Sequence, residues 1–184
     1  MFIDIFSRKI VGHDIDTREK ETVAKALFEQ SLKNESLSGL GLRLHNDNGR
    51  SMRAYTLMEK IKDLGVIQTF SRPYVKNDNP FAESLFKTLK YCPEYPYRPF
   101  RSIQEAEQWT TKFVEWYNNE HLHSGINYVS PIKRHLGQDQ KILNKRRKVF
   151  ALAKAKNPNR WSGPVRQWKQ AEIVELNEAG CRLR

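Results

Sequence analysis

The sequence predicts an α/β layered domain with a basic tail, and three observations carry that prediction. Short runs rich in β-branched and aromatic residues alternate with longer stretches whose apolar positions recur at helical spacing. Nearly all of the net charge of +11 sits in one late segment. No apolar run approaches the roughly 20 residues that a membrane-spanning helix needs, and Met1-Phe2-Ile3-Asp4 has none of the regions of a signal peptide. A cytoplasmic protein with no membrane partner is the resulting expectation.

Taken in order, Phe2, Ile3, Ile5 and Phe6 make one strand and Ile10, Val11 and Ile15 another, with Ser7-Arg8-Lys9 as the tight connection of a hairpin. Thr17 is the expected N-cap of a helix over 18–33, whose stripe is Ala24, Leu27, Phe28 and Leu32. Leu42 and Leu44 open a short strand that runs into His45-Asn46-Asp47. Ser51 is the expected cap of the next helix, in which Ala54, Leu57, Met58, Ile61 and Leu64 keep helical spacing up to the stop signal Gly65. Residues 66–70 read as a strand, and 71–80, with two prolines and two asparagines, as a mobile loop.

A helix over about 79–91 then buries Ala82, Leu85, Phe86 and Leu89, leaving Glu83, Lys87 and Lys90 as neighbours on its other face. Residues 91–99 hold three prolines and read as extended. Ser102 opens a helix to about 121, striped by Ile103, Ala106, Trp109 or Thr110, Phe113 and Tyr117. Ser130-Pro131 starts a further short helix, by the rule that proline is favoured at the first helical position.

Residues 141–170 hold ten Lys or Arg, among them Lys145, Arg146, Arg147 and Lys148, and no Asp or Glu. A surplus held in one segment is the footprint of a polyanion partner, because neutralising phosphates releases condensed counterions. A merely solubilising tail is the alternative. The chain therefore divides into 1–137, the layered domain, and 138–184, a basic segment of helical and extended character. Cys92 and Cys181 belong to no Cys-x-x-Cys or Cys/His cluster, which argues against a disulfide framework and a zinc site.

Two carboxylates stand out. Asp47 lies just past a short strand, in His45-Asn46-Asp47-Asn48-Gly49, and Glu83 lies near the start of a helix, in Asn77-Asp78-Asn79-Pro80-Phe81-Ala82-Glu83-Ser84. The ends of strands and starts of helices are where a metal-dependent phosphodiester-transfer site needs its acids. Two magnesium ions roughly 4 Å apart orient the nucleophile and stabilise the leaving oxygen, and such hard cations take carboxylate oxygens. Lys87, one turn beyond Glu83, is spaced to meet a substrate phosphate. Each residue also has a plainer reading: an Asx turn for Asp47, a helix-dipole carboxylate for Glu83 and its salt-bridge partner for Lys87.

The ordered motifs resemble the catalytic subunit of insertion-sequence transposases of the DDE class, with a retroviral-integrase-type core. Asp4 to Gly12 resembles that family's second and third strands, and His45 to Gly49 its H-S-D-N-G segment. Asp78 to Lys90 resembles the helix bearing the last acid, and Tyr117-Asn118-Asn119-Glu120-His121-Leu122-His123-Ser124 with Ser130-Pro131 the end of the core. Asn159-Arg160-Trp161-Ser162 resembles a tail of some members. Asn46 and Arg50 stand where serine is commoner in the family, and neither difference removes a ligand.

The resemblance implies a ribonuclease H-like integrase core, a mixed sheet covered by helices, and DNA cleavage and strand transfer with magnesium, manganese being the alternative ion. Asp47 and Glu83 become the second and third catalytic acids and metal ligands. Asn48, Gly49, Lys87 and Lys90 lie near metal or DNA, joined by Lys145, Arg146, Arg147 and Lys148 of the basic segment. DNA at element ends and target is the implied partner, with a homo-oligomer or full-length transposase, and no small-molecule substrate. The family's first acid lies in an upstream W-x-x-D-I-T strand that this sequence does not include, and Asp4 matches a different position. The expectations are a core lacking its central first strand, unpaired edges on that strand's two neighbours, and a chain inactive alone. The alternative is a DNA-binding fragment that competes with or regulates full-length transposase.

Overall fold

Two short ladders form from the strand segments. In the computed structural model, which describes residues 1–18, 20–73, 75 and 78–176, β1 (Phe2–Ile3) pairs antiparallel with β2 (Ile10–Gly12). Strand β3 (Arg43–Asn46) pairs in parallel with β4 (Ile67–Phe70), in the register Arg43 to Ile67 through Asn46 to Phe70. The β1–β2 and β3–β4 ladders are separate two-stranded sheets. A parallel pair needs a crossover, and here a 3-10 turn (Ser51–Arg53) and helix α2 (Tyr55–Asp63) supply it.

Residues 1–4 and 10–113 belong to one compact unit, residues 5–9 and 114–174 to a second. In the first, helix α1 (Glu21–Asn34) and α2 cover the strands. Their shared core is Ala24, Phe28, Leu32, Leu57, Ile61 and Val66, with Phe2 and Leu44 packed against it from the strands and Leu42 from just before β3. These positions follow the helical and strand spacing of the sequence. Gly12 lets α1 approach β2: a Cβ there would lie 2.0 Å from Ser31 Oγ and 3.3 Å from Ser31 Cβ. Helix α3 (Pro80–Lys90) begins with proline at its first position, and α4 (Ile103–Asn119) follows. Ser102 caps α4 as expected, its Oγ accepting the Glu105 amide at 3.1 Å, while Glu105 Oε2 accepts the Arg101 amide at 2.6 Å. Tyr95, Phe100, Trp109 and Phe113 form an aromatic cluster beside it.

The second unit contains α5 (Pro131–His135) and α6 (Asp139–Lys156). Its core is Ile126, Val129, Leu143 and Trp168, with Ile142 and Phe150 against it. Arg134 is 2% exposed and holds the unit together: it donates to Phe6 O at 3.0 Å and Ala171 O at 3.1 Å, pairs with fully buried Asp139 at 3.3 Å, and stacks on Phe6. Tyr117, His121 and His123 pack ring on ring.

Several local expectations are corrected. Thr17 does not cap α1; its hydroxyl donates to Asp16 Oδ1, which also takes the Arg18 amide and Lys20 Nζ, so the helix starts only after Lys20. Ser51 lies inside the 3-10 turn, whose amides at Met52 and Arg53 turn back to Gly49 O, and extended Ala54 separates it from α2. The first strand stops at Ile3, and the hairpin connection is six residues, Asp4 to Lys9, with Arg8 at φ 67°. Residues 91–99 are not simply extended, since the Tyr95 amide closes a turn on Cys92 O. Phe86, expected in the core, is 46% exposed. Part of the loop 71–80, including Asn77, and Cys181 lie outside the described residues. Among those residues no helix is long and apolar enough to cross a membrane.

Candidate active site

Asp47 follows β3 directly and is exposed. Its Oδ1 accepts the Gly49 amide at 2.9 Å, so the Asx turn anticipated from Asn-Asp-Asn-Gly forms. That bond orients the carboxylate without neutralising it. Asn48 donates to Ser71 O at 2.8 Å, and the Ser71 amide and hydroxyl both donate to Asn46 O, at 2.9 and 3.3 Å. His45 bridges Thr69 Oγ1 at 2.9 Å and Ser71 Oγ at 3.2 Å, and burial pushes its pKa down. The ends of β3 and β4 are therefore tied together beside Asp47.

The path from β4 to α3 is fixed by a contact that sequence reading missed. Asp78, 5% exposed, accepts from the Arg72 backbone amide at 2.8 Å, from Nε at 2.9 Å and from Nη2 at 2.7 Å. A bidentate guanidinium pair of this kind is strong and directional. It anchors residue 78, immediately before α3, to residue 72, just past β4. Only the run Asp78-Asn79-Pro80 hinted at it, as a helix start.

These ties bring the expected residues into one open cleft of about 770 Å³. Asp47, Asn48, Ser71, Asn79, Glu83, Lys87 and Lys90 line it. The α3 residues in the lining are 82, 83, 86, 87 and 90, which is one helical face, joined by Asn79 and Tyr91 at the two caps. Gly49 contributes its amide to Asp47 rather than a lining surface. Neither Asp47 nor Glu83 is in an ion pair among the described residues. The pair suits a hard cation by donor type, but the described residues contain no group of three His, Cys, Asp or Glu able to hold one. Asp4, Asp14 and Asp16 are not among the lining residues, and Asp16 is occupied by Lys20 at 2.9 Å.

The basic segment's candidates divide. Lys145, Arg147 and Lys148 are exposed on α6. Arg146 is half-buried and donates to the carbonyls of Asn127 and Tyr128, the latter at 2.8 Å, while lying over the Trp168 ring. Its guanidinium is thus engaged in holding the 127–128 turn. Arg166 stacks over Trp168 and Tyr128.

Comparison with known proteins finds integrase cores and transposases. Residues 64–131 match the integrase core domain family. The transposase for insertion sequence element IS904 of Lactococcus lactis is 33% identical over 130 residues, 70% of this chain and 51% of that protein. The transposase for IS629 of Shigella sonnei is 26% identical over 129 residues, covering 70% and 43%. A simian T-cell lymphotropic virus intasome, solved in complex with a PP2A regulatory subunit, superposes with TM-score 0.51 at 14% identity, over 65% of this chain and 41% of that one. The fold and its cleft thus define a ribonuclease H-like integrase core. The chain is similar to insertion-sequence transposases, and it spans about half the length of the curated relatives it matches.

Proposed function

We propose that this chain is the strand-transfer part of a transposase, cleaving phosphodiesters at the ends of a mobile element and joining a 3′ hydroxyl to target DNA. One observation carries the reading: Asp47 and Glu83, with 35 residues between them in sequence, line a single cleft with Asn48, Lys87 and Lys90. Among the described residues, neither carboxylate has a cationic side chain as an ion-pair partner. Magnesium, or manganese in its place, would be held by Asp47 and Glu83 and would supply charge neutralisation for in-line attack. Lys87 and Lys90 hold the flanking phosphates, and the Gly49 amide keeps Asp47 turned into the cleft. Among the described residues, Asp47 and Glu83 are the two acids of this cleft. The division into a catalytic part, 1–137, and a DNA-holding part, 138–184, and assembly into a multimer belong to the same reading. A magnesium-dependent cleavage assay on element-end DNA tests it: cutting by a transposase that contains this chain should disappear in Asp47→Asn and in Glu83→Gln, and cutting that survives either change would contradict it.

A second reading is favoured by the exposed cations of α6. The fragment competes with or regulates a full-length transposase by binding its DNA. Such binding should weaken steeply with salt and vanish when 141–170 is removed; binding indifferent to both would exclude it.

A further inference from the structure

We propose that Phe86 and Tyr91 form an aromatic subsite that takes one unstacked DNA base beside the Asp47/Glu83 pair. The inference rests on the transposition reading and adds a ligand group to it. Phe86 is 46% exposed and Tyr91 78%, and both line the same cleft as the two carboxylates. They sit on one face of α3 and its C-terminal end, with Phe86 next to Glu83 at i+3 and Tyr91 next to Lys87 at i+4. Helix α3 had an alternative: Leu85, on another face, is 2% exposed and supplies its core contact. The cleft face is thus aromatic where a core face would be closed.

The interleaving decides the occupant. Moving along the face from Asp47 and Glu83, the lining runs Phe86, Lys87, Lys90, Tyr91. Lys87 and Lys90 are in no ion pair among the described residues. A covering protein segment would bury two ammonium groups and would need acids to match them. A nucleotide meets both features at once, phosphate against the lysines and a base face against the rings, which is how single strands are held without sequence readout. An enzyme acting on a duplex end gains access to the phosphate when the terminal base leaves the stack, and a ring that receives it lowers that cost.

The test uses the full chain, without divalent ion, and two short single-stranded deoxyoligonucleotides of equal length. One carries a 2-aminopurine among ordinary bases, and the other is abasic throughout. Binding should quench the 2-aminopurine. Phe86→Ala and Tyr91→Ala should weaken the base-containing strand by about 5-fold or more each, as expected for loss of a stacked base. Both should leave the abasic strand's affinity unchanged, which also reports a folded chain. Phe86→Trp should restore quenching. Equal losses on both strands, or no quenching by the parent chain, would overturn the subsite while leaving the transposition reading standing. Failure to bind either strand would overturn both.

Discussion

Asp47 uses one carboxylate oxygen to accept the Gly49 amide and keeps the group in the cleft; Asp78, by contrast, is fully committed to Arg72. The two acids differ in role because their partners differ. Arg72→Ala should cost about 1–3 kcal/mol in urea unfolding, because it strips two charge-assisted bonds from a buried carboxylate. It should also loosen α3 and so weaken divalent binding, whereas Arg72→Lys should recover part of both. His123 gives a pH signature. Its Nδ1 accepts the Gly125 amide at 3.1 Å, and burial, then the Arg8 guanidinium and the His121 ring, push its pKa down to about 4 from 6.5. The unfolded chain therefore binds this proton first, so stability is complete above about pH 6.5 and falls as pH drops towards 4. After discounting for partial exposure the loss is on the order of 1–2 kcal/mol. Unfolding midpoints at pH 7, 5 and 4 should show it, and His123→Asn, which keeps an acceptor and cannot protonate, should flatten it. Burial shifts His13, His45 and His121 in the same direction, so part of the slope remains in that variant.

At the scale of elements, α6 separates two kinds of cation that the sequence presents as one run. Lys145→Ala, Arg147→Ala and Lys148→Ala should each leave the melting temperature nearly unchanged and lower the salt dependence of DNA binding by about one ion. Arg146→Ala should instead destabilise by about 1–3 kcal/mol, because the Asn127 and Tyr128 carbonyls lose their donor. Much of this level was legible in advance. The stripe of α1, the Leu57 and Ile61 positions of α2, the strand before Asp47, the Ser102 cap and the proline start at Pro131 follow from spacing and helix-start chemistry, whereas Met58, expected on the α2 stripe, is exposed, Ala54 lies before the helix, and Ser130 makes no side-chain cap bond. What was not legible depends on competition or on chain path. Asp16 accepts the Thr17 hydroxyl, the Arg18 amide and the Lys20 ammonium, closing a turn where the helix start was expected, and Gly49 O draws Ser51-Met52-Arg53 into a 3-10 turn. The Arg72–Asp78 pair requires the loop's return, which no periodicity encodes. Phe86 was misplaced because the stripe through Ala82 and Phe86 and the one through Leu85 and Leu89 are both helical, and only packing selects between them.

At the scale of the whole molecule, separate β1–β2 and β3–β4 ladders share one helical cover in the first unit. Sequence motifs singled out Asp47 and Glu83 because both sit in short, ordered signatures; the aromatic face of α3 belonged to none of them. The central claim is that Asp47 and Glu83 act together on one cation. The direct measurement is a manganese titration of the full chain, followed by water proton relaxation, with Asp47→Asn and Glu83→Gln alongside. The account expects weak binding by the parent chain, a loss of about tenfold or more in either variant, and little further loss in the double variant, because one site is removed only once. Unchanged manganese binding in either single variant, or independent additive losses, would contradict it.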